Sequence, residues 1–130
     1  MNKKYKEKIE NLNFLELTPV LEIGFELDGN GLVNILIPRF SNKLLASIFM
    51  PRLKAPYIKM SLDEFGSVAW QNIDGKSNVD GIAKHLLDKF GEKIDPVEER
   101  LTKFLSQLYN YKFITFIELK NLWRFKWVKY

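Results

Sequence analysis

The sequence predicts an α+β domain of the winged helix-turn-helix type, a small antiparallel sheet of about three strands followed by three helices. Two patterns carry that expectation. Residues 21–37 alternate apolar and polar side chains on either side of a glycine-rich turn, and residues 61–110 contain three amphipathic stretches with their own start and stop signals. A length of 130 residues makes one domain, 1–130, the natural reading, since two would each be short of core.

The elements follow in chain order. Tyr5, Ile9 and Leu12 recur at helical spacing, predicting an amphipathic N-terminal arm over residues 1–19 that Pro19 closes. Leu21, Ile23, Phe25 and Leu27 alternate with Glu22, Gly24 and Glu26, the period-two pattern of a strand that buries one face. Asp28-Gly29-Asn30-Gly31 tolerates the positive φ of a tight turn and reverses the chain into Leu32–Ile37. The stretch Pro38–Pro56 has three prolines, no acid and an apolar middle, so it reads either as a connection with a short helix at Asn42–Phe49 or as a covering flap. Tyr57-Ile58-Lys59-Met60 is the next strand, so that residues 20–62 form the sheet with 38–56 inserted.

Three helices are expected between residues 61 and 110. Ser61 and Glu64 have capping-box spacing, with Phe65, Val68, Ala69 and Ile73 on the apolar face and Asp74-Gly75 as the stop. The second helix starts at Ser77 or Asn78, carries Val79, Ile82, Ala83, Leu86, Leu87 and Phe90, and ends at Gly91. The third opens with Asp95 as cap and Pro96 in its first position, and buries Val97, Leu101, Phe104, Leu105 and Leu108. Tyr111–Ile117 turns β-like, and a strand-like aromatic and basic tail with Trp123, Phe125, Trp127 and Tyr130 ends the chain.

Composition limits the chemistry. Cysteine is absent, which removes disulfides, thiolate metal sites and cysteine nucleophiles and fits a reducing cytoplasm. Neither a signal-peptide core nor an apolar run of membrane-spanning length is present, so no membrane partner is expected. His85 is the one histidine; it lies on the second helix beside Leu86 and Leu87, where a surface or core-edge role is commoner than catalysis. The carboxylates of Asp63-Glu64 and Glu98-Glu99 are sequence neighbours that diverge on a helix, so they complement helix N-termini rather than converge on a metal. Gly29, Gly31, Gly66, Gly75, Gly81 and Gly91 lack the spacing of a phosphate-cradling loop. No cofactor, metal or catalytic residue is therefore expected.

Charge is uneven. The net charge is +4, yet Gly29–Leu62 contains no acid while holding Arg39, Lys43, Arg52, Lys54 and Lys59, and Lys120, Arg124, Lys126 and Lys129 crowd the C-terminus. Each of these is read first as a solvated surface residue, and together they predict a positive face.

The block from Tyr57 to Ile117 resembles the PqqD family. Its specific pieces are Leu62–Trp70, Ile73-Asp74-Gly75 and Val79–Ile82, in that order and spacing. That resemblance implies a non-catalytic peptide chaperone that recognises the leader of a ribosomally made precursor peptide and presents it to a modifying enzyme, commonly a radical SAM enzyme. It further implies that the leader adds as a strand along Tyr57, Ile58, Lys59 and Met60, with Arg100, Leu101, Lys103, Phe104, Leu105 and Leu108 of the third helix as the other wall. Strand addition suits such an edge, because unpaired backbone groups supply hydrogen bonds and basic rims favour acidic residues. The competing role for Ile58, Met60, Leu101, Phe104, Leu105 and Leu108 is simple core. Two departures from the family pattern, the N-terminal extension and the insertion at 38–56, as well as the aromatic tail, place segments that can cover the groove.

Two rival functions are compatible with the same sequence. A helix-turn-helix with basic flanks is the usual vehicle for DNA binding, although Asp95, Glu98 and Glu99 make the first turn of the third helix acidic where phosphates and bases should meet it. An assembly module, homodimeric through the edge strand or the aromatic tail, is the other.

Overall fold

The structure, a computed structural model, describes residues 13–38 and 57–121. The N-terminal arm on Tyr5, Ile9 and Leu12, the short helix at Asn42–Phe49 and the aromatic tail from Trp123 lie outside the described residues. The order is a 3-10 turn at Phe14–Glu16, then β1 Pro19–Leu21, β2 Phe25–Leu27, β3 Val33–Pro38, β4 Tyr57–Ser61, α1 Glu64–Gln71 and α2 Val79–Phe90. A further 3-10 turn at Gly91–Ile94, α3 Val97–Asn110 and β5 Ile114–Phe116 complete it. The class is α+β with antiparallel strands, arranged as one three-stranded sheet in the order β2-β3-β4 and one two-stranded sheet, β1-β5. The chain divides into two compact units, one of Ile23–Ser67 and the other of Met1–Glu22 with Val68–Tyr130.

The unit Ile23–Ser67 is built on the hairpin expected from Asp28–Gly31. Asp28 donates its N–H to the Leu32 carbonyl (2.8 Å), and its own Oδ1 accepts the N–H groups of Asn30 and Leu32 at 2.8 and 2.9 Å. Gly31 sits at φ +80°, which glycine adopts without strain. The single strand expected over Leu21–Leu27, however, is two. Glu22 donates its N–H to the Phe113 carbonyl, prolonging the β1-β5 ladder, while the Gly24 carbonyl accepts the N–H of Leu36 in the other sheet. A bend at Ile23–Gly24 separates the two ladders, and a continuous period-two pattern cannot reveal which partner each half takes. Nor does the pattern bury its face throughout: Phe25 is 39% and Leu27 53% exposed.

In the other unit α2 packs on α3 and α3 on β5. Helix α2 buries Val79, Ile82, Ala83 and Leu86; α3 buries Val97, Leu101, Leu105 and Leu108. Asn78 caps α2, its Oδ1 accepting the Gly81 N–H at 2.8 Å, and Gly91 ends it at φ +66°. The expected start of α3 shifts by one residue. Residues 91–94 form a 3-10 turn closed by the Asp95 N–H on the Glu92 carbonyl, so Asp95 terminates that turn, and Pro96 is the residue flanking α3. Strand β5 ends at Phe116, and residues 117–121 are helical rather than strand-like. The Ile117 N–H closes on the Thr18 carbonyl, and the Glu118 carboxylate takes both the Thr18 N–H (2.7 Å) and hydroxyl (2.9 Å). Thr18 therefore offers no N–H to continue the ladder.

Between α1 and α2, Asp74 organises the turn that Gly75 enters at φ +77°. Its Oδ1 accepts the N–H groups of Ser77 and Lys76, both at 2.8 Å, and these bonds hold its carboxyl below the usual value of 3.8. A carboxylate lowered on folding stabilises the fold above its unfolded value, and that contribution is lost as the pH falls through the folded value. Asp74→Ala is accordingly expected to flatten the loss of stability below about pH 4, read as urea midpoints against pH.

Candidate functional site

Strand β4 forms one edge of its sheet, and the register shows which of its backbone groups are free. The Leu62 N–H donates to the Val33 carbonyl at 2.9 Å, so that pair lies at a hydrogen-bonded rung of the β3-β4 ladder. Rungs alternate in an antiparallel ladder. Ile58 opposite Ile37 and Met60 opposite Ile35 thus turn their N–H and C=O toward β3, whereas Tyr57, Lys59 and Ser61 turn theirs away from it. The other side of β3 agrees, for Leu36 donates to Gly24 and Asp28 to Leu32, which assigns the intervening rungs to β2. Among the described residues no strand pairs with the outer edge of β4.

The two faces of this sheet differ sharply. Register places Phe25, Leu27, Val33, Ile35, Ile37, Ile58 and Met60 on one face. Val33 and Ile35 in the central strand are fully buried, but Ile58 is 50% and Met60 36% exposed on the edge. The opposite face carries Glu26, Asn34, Lys59 and Ser61 together with Leu36 and Tyr57. There the Lys59 ammonium meets the Glu26 carboxylate at 2.7 Å, and the Ser61 hydroxyl donates to Asn34 Oδ1 at 2.8 Å. Both ions of the Lys59–Glu26 pair are largely solvated, so the bridge orients Lys59 more than it stabilises the fold.

The helix after β4 fixes the strand's end. Ser61 does not cap it as the capping-box spacing suggests, because Ser61 stays in the ladder opposite Asn34 and Leu62 extends the pairing by one residue. Asp63 caps instead, its Oδ1 accepting the Gly66 N–H at 2.7 Å. One turn on, the buried Ser67 hydroxyl accepts the Val33 N–H at 2.9 Å and donates to the Leu62 carbonyl at 3.3 Å. It thus stands in the ladder where Val33 N–H and Leu62 C=O would otherwise meet directly. Ser67→Ala leaves that buried N–H without its acceptor and is expected to cost about 1–3 kcal/mol, measured by chemical denaturation.

The helix residues nominated from sequence separate into two groups. Leu101, Leu105 and Leu108 are buried on α3, Phe104 is half-buried, and Arg100 and Lys103 are exposed. Arg100 and Lys103 line an open groove of about 720 Å³ with Leu15, Pro96, Thr102 and Ser106, flanked by Glu98 and Glu99. The first turn of α3 is acidic, as its sequence requires. His85 is exposed on α2. Among the described residues no three His, Asp or Glu side chains gather into a metal site, and no helix is long and apolar enough to cross a membrane. Sequence reasoning missed Ser67 and Glu26, which act on β4 from 6 and 33 positions along the chain from Ser61 and Lys59, respectively. The one available signal was small: a serine amid the apolar positions of an amphipathic helix.

Residues 57–114 match the family described as coenzyme PQQ synthesis protein D (PqqD). The match starts at the first residue of β4, runs through all three helices and stops at the first residue of β5; the β2-β3 hairpin precedes it. No curated protein and no solved structure matches the chain.

Proposed function

The chain belongs, over residues 57–114, to the PqqD family, and on that premise we propose that it is a non-catalytic peptide-binding chaperone. It recognises the leader of a ribosomally made precursor peptide and presents it to a modifying enzyme, such as a radical SAM enzyme, from a scaffold of winged helix-turn-helix type. Members of this family are accessory proteins of peptide modification rather than catalysts. The observation that carries the reading is the outer edge of β4, where three alternate residues, Tyr57, Lys59 and Ser61, present backbone donors and acceptors that no described strand takes up. An extended peptide that adds there gains up to six backbone hydrogen bonds, and the flanking side chains supply selectivity.

On α3, Arg100, Lys103 and the half-buried Phe104 are proposed to contribute further contacts to the peptide, Arg100 and Lys103 through their charge. Leu101, Leu105 and Leu108 support that helix from within the core. The acidic start of α3 weighs against a recognition helix for DNA, whose phosphates it would repel.

Titration of the isotope-labelled chain with leader peptides from neighbouring short reading frames tests the proposal. Amide shifts concentrated on residues 57–61 are the expected result. Silence there, with shifts produced by duplex DNA instead, would transfer the function to the nucleic-acid reading.

A further inference from the structure

The two faces of β4 also define what kind of peptide the edge accepts. A strand added antiparallel to β4 places each of its side chains beside a β4 side chain on the same face, and the residue that exchanges hydrogen bonds with a β4 residue lies directly opposite it. The residue that bonds to the Lys59 backbone therefore sits on the face that carries Glu26 and Lys59, next to a lysine side chain that is more than half exposed and bridged on its inner side to Glu26. An ammonium has three donors, so a second carboxylate can approach from the open side and leave the ammonium between two acids. The residues before and after it fall on the other face, beside Ile58 and Met60. Those two side chains lie at the non-hydrogen-bonded rungs of the new ladder, where facing side chains come closest, and both retain apolar surface to cover.

Resting on the leader-binding reading above, we infer that β4 selects an extended apolar-acidic-apolar tripeptide, with the acid opposite Lys59 and the apolar residues against Ile58 and Met60. Charge also argues that the occupant is a separate peptide rather than a second copy of this chain. In the antiparallel register that pairs all five β4 residues of two copies, Lys59 faces Lys59, and like charges directly opposite each other disfavour that pairing. The β2 edge fails in the same way, since self-pairing centred on that strand sets Glu26 against Glu26.

Three capped nine-residue peptides with serine and threonine flanks test this with the full chain: a Val-Glu-Val core, a Val-Lys-Val core, and the scrambled core Glu-Val-Val. Binding is read by amide shifts and calorimetry. The Val-Glu-Val peptide is expected to perturb Tyr57, Lys59 and Ser61 and to bind about fivefold more tightly than the lysine version. The doubly exchanged variant Lys59→Glu/Glu26→Lys keeps the ion pair while inverting its sign, and is expected to reverse that order; Lys59→Gln is expected to erase it. Equal affinity of all three peptides at these amides would overturn the inference and leave leader binding at β4 intact. Silence with all three while a leader peptide still shifts the same amides would also remove the inference alone. Silence with the leader peptide as well would remove both.

Discussion

Lys59→Pro is expected to abolish peptide binding at β4 while the protein stays folded, and Met60→Pro to damage the fold itself. The two positions are adjacent in one strand, and each substitution removes one backbone N–H. What differs is direction. The Lys59 N–H points away from β3, and proline is tolerated in an edge strand where its missing N–H faces outward. Its ring then blocks the approach of an added strand and removes a donor in the middle of the open edge. A loss of at least about tenfold in affinity is expected, one hydrogen bond plus the steric exclusion. The Met60 N–H, in contrast, points into the ladder opposite Ile35, a fully buried residue. Proline there removes that bond and leaves the Ile35 carbonyl without its donor, with a loss of about 1–3 kcal/mol expected. Circular dichroism and denaturation separate the two variants, and titration with a leader peptide shows which still binds.

Leu101→Ala is expected to destabilise the protein by about 2–5 kcal/mol, the range for emptying a well-packed leucine site. Leu101 is 0% exposed on the face that α3 buries, and Leu105, one helical turn on, is equally inaccessible. A residue that acted chiefly by touching a bound peptide would behave differently: its truncation would weaken binding at nearly constant stability. Denaturation midpoints and peptide affinity, measured on the same variant below its unfolding range, distinguish these outcomes. Exposed Lys103 provides the complementary case, since Lys103→Ala is expected to change stability by less than about 0.5 kcal/mol.

The parts of the fold set by local chemistry were readable from sequence. Asp28–Gly31 specifies its hairpin through a carboxylate that caps two N–H groups and a glycine at positive φ. Asn78 and Gly91 bracket α2 in the same local way. The parts set by distant partners were not. Residues 21–27 alternate without interruption, yet their halves enter different ladders because Phe113 and Leu36, far along the chain, take the hydrogen bonds on either side of the bend. Ser61 has the spacing of a cap but remains a strand residue because Asn34 lies opposite it.

The same division runs through the site. Tyr57–Met60 reads as a strand from its own residues. Which of its amides point outward depends on the pairing of Leu62 with Val33 and on the Ser67 hydroxyl that completes this rung, so it appears only with the ladder in place. The apolar stripe of α3 was legible as core by periodicity, and the burial of Leu101, Leu105 and Leu108 follows it.

Amide hydrogen exchange of the full chain, with and without a saturating leader peptide, tests the central claim most directly. In the free protein Ile58 and Met60 should exchange slowly and Tyr57, Lys59 and Ser61 quickly, the signature of one paired and one open side. The account predicts that the peptide slows those three alternate amides and leaves Ile58 and Met60 nearly unchanged. Unaltered exchange at Tyr57, Lys59 and Ser61 under saturating peptide would contradict it.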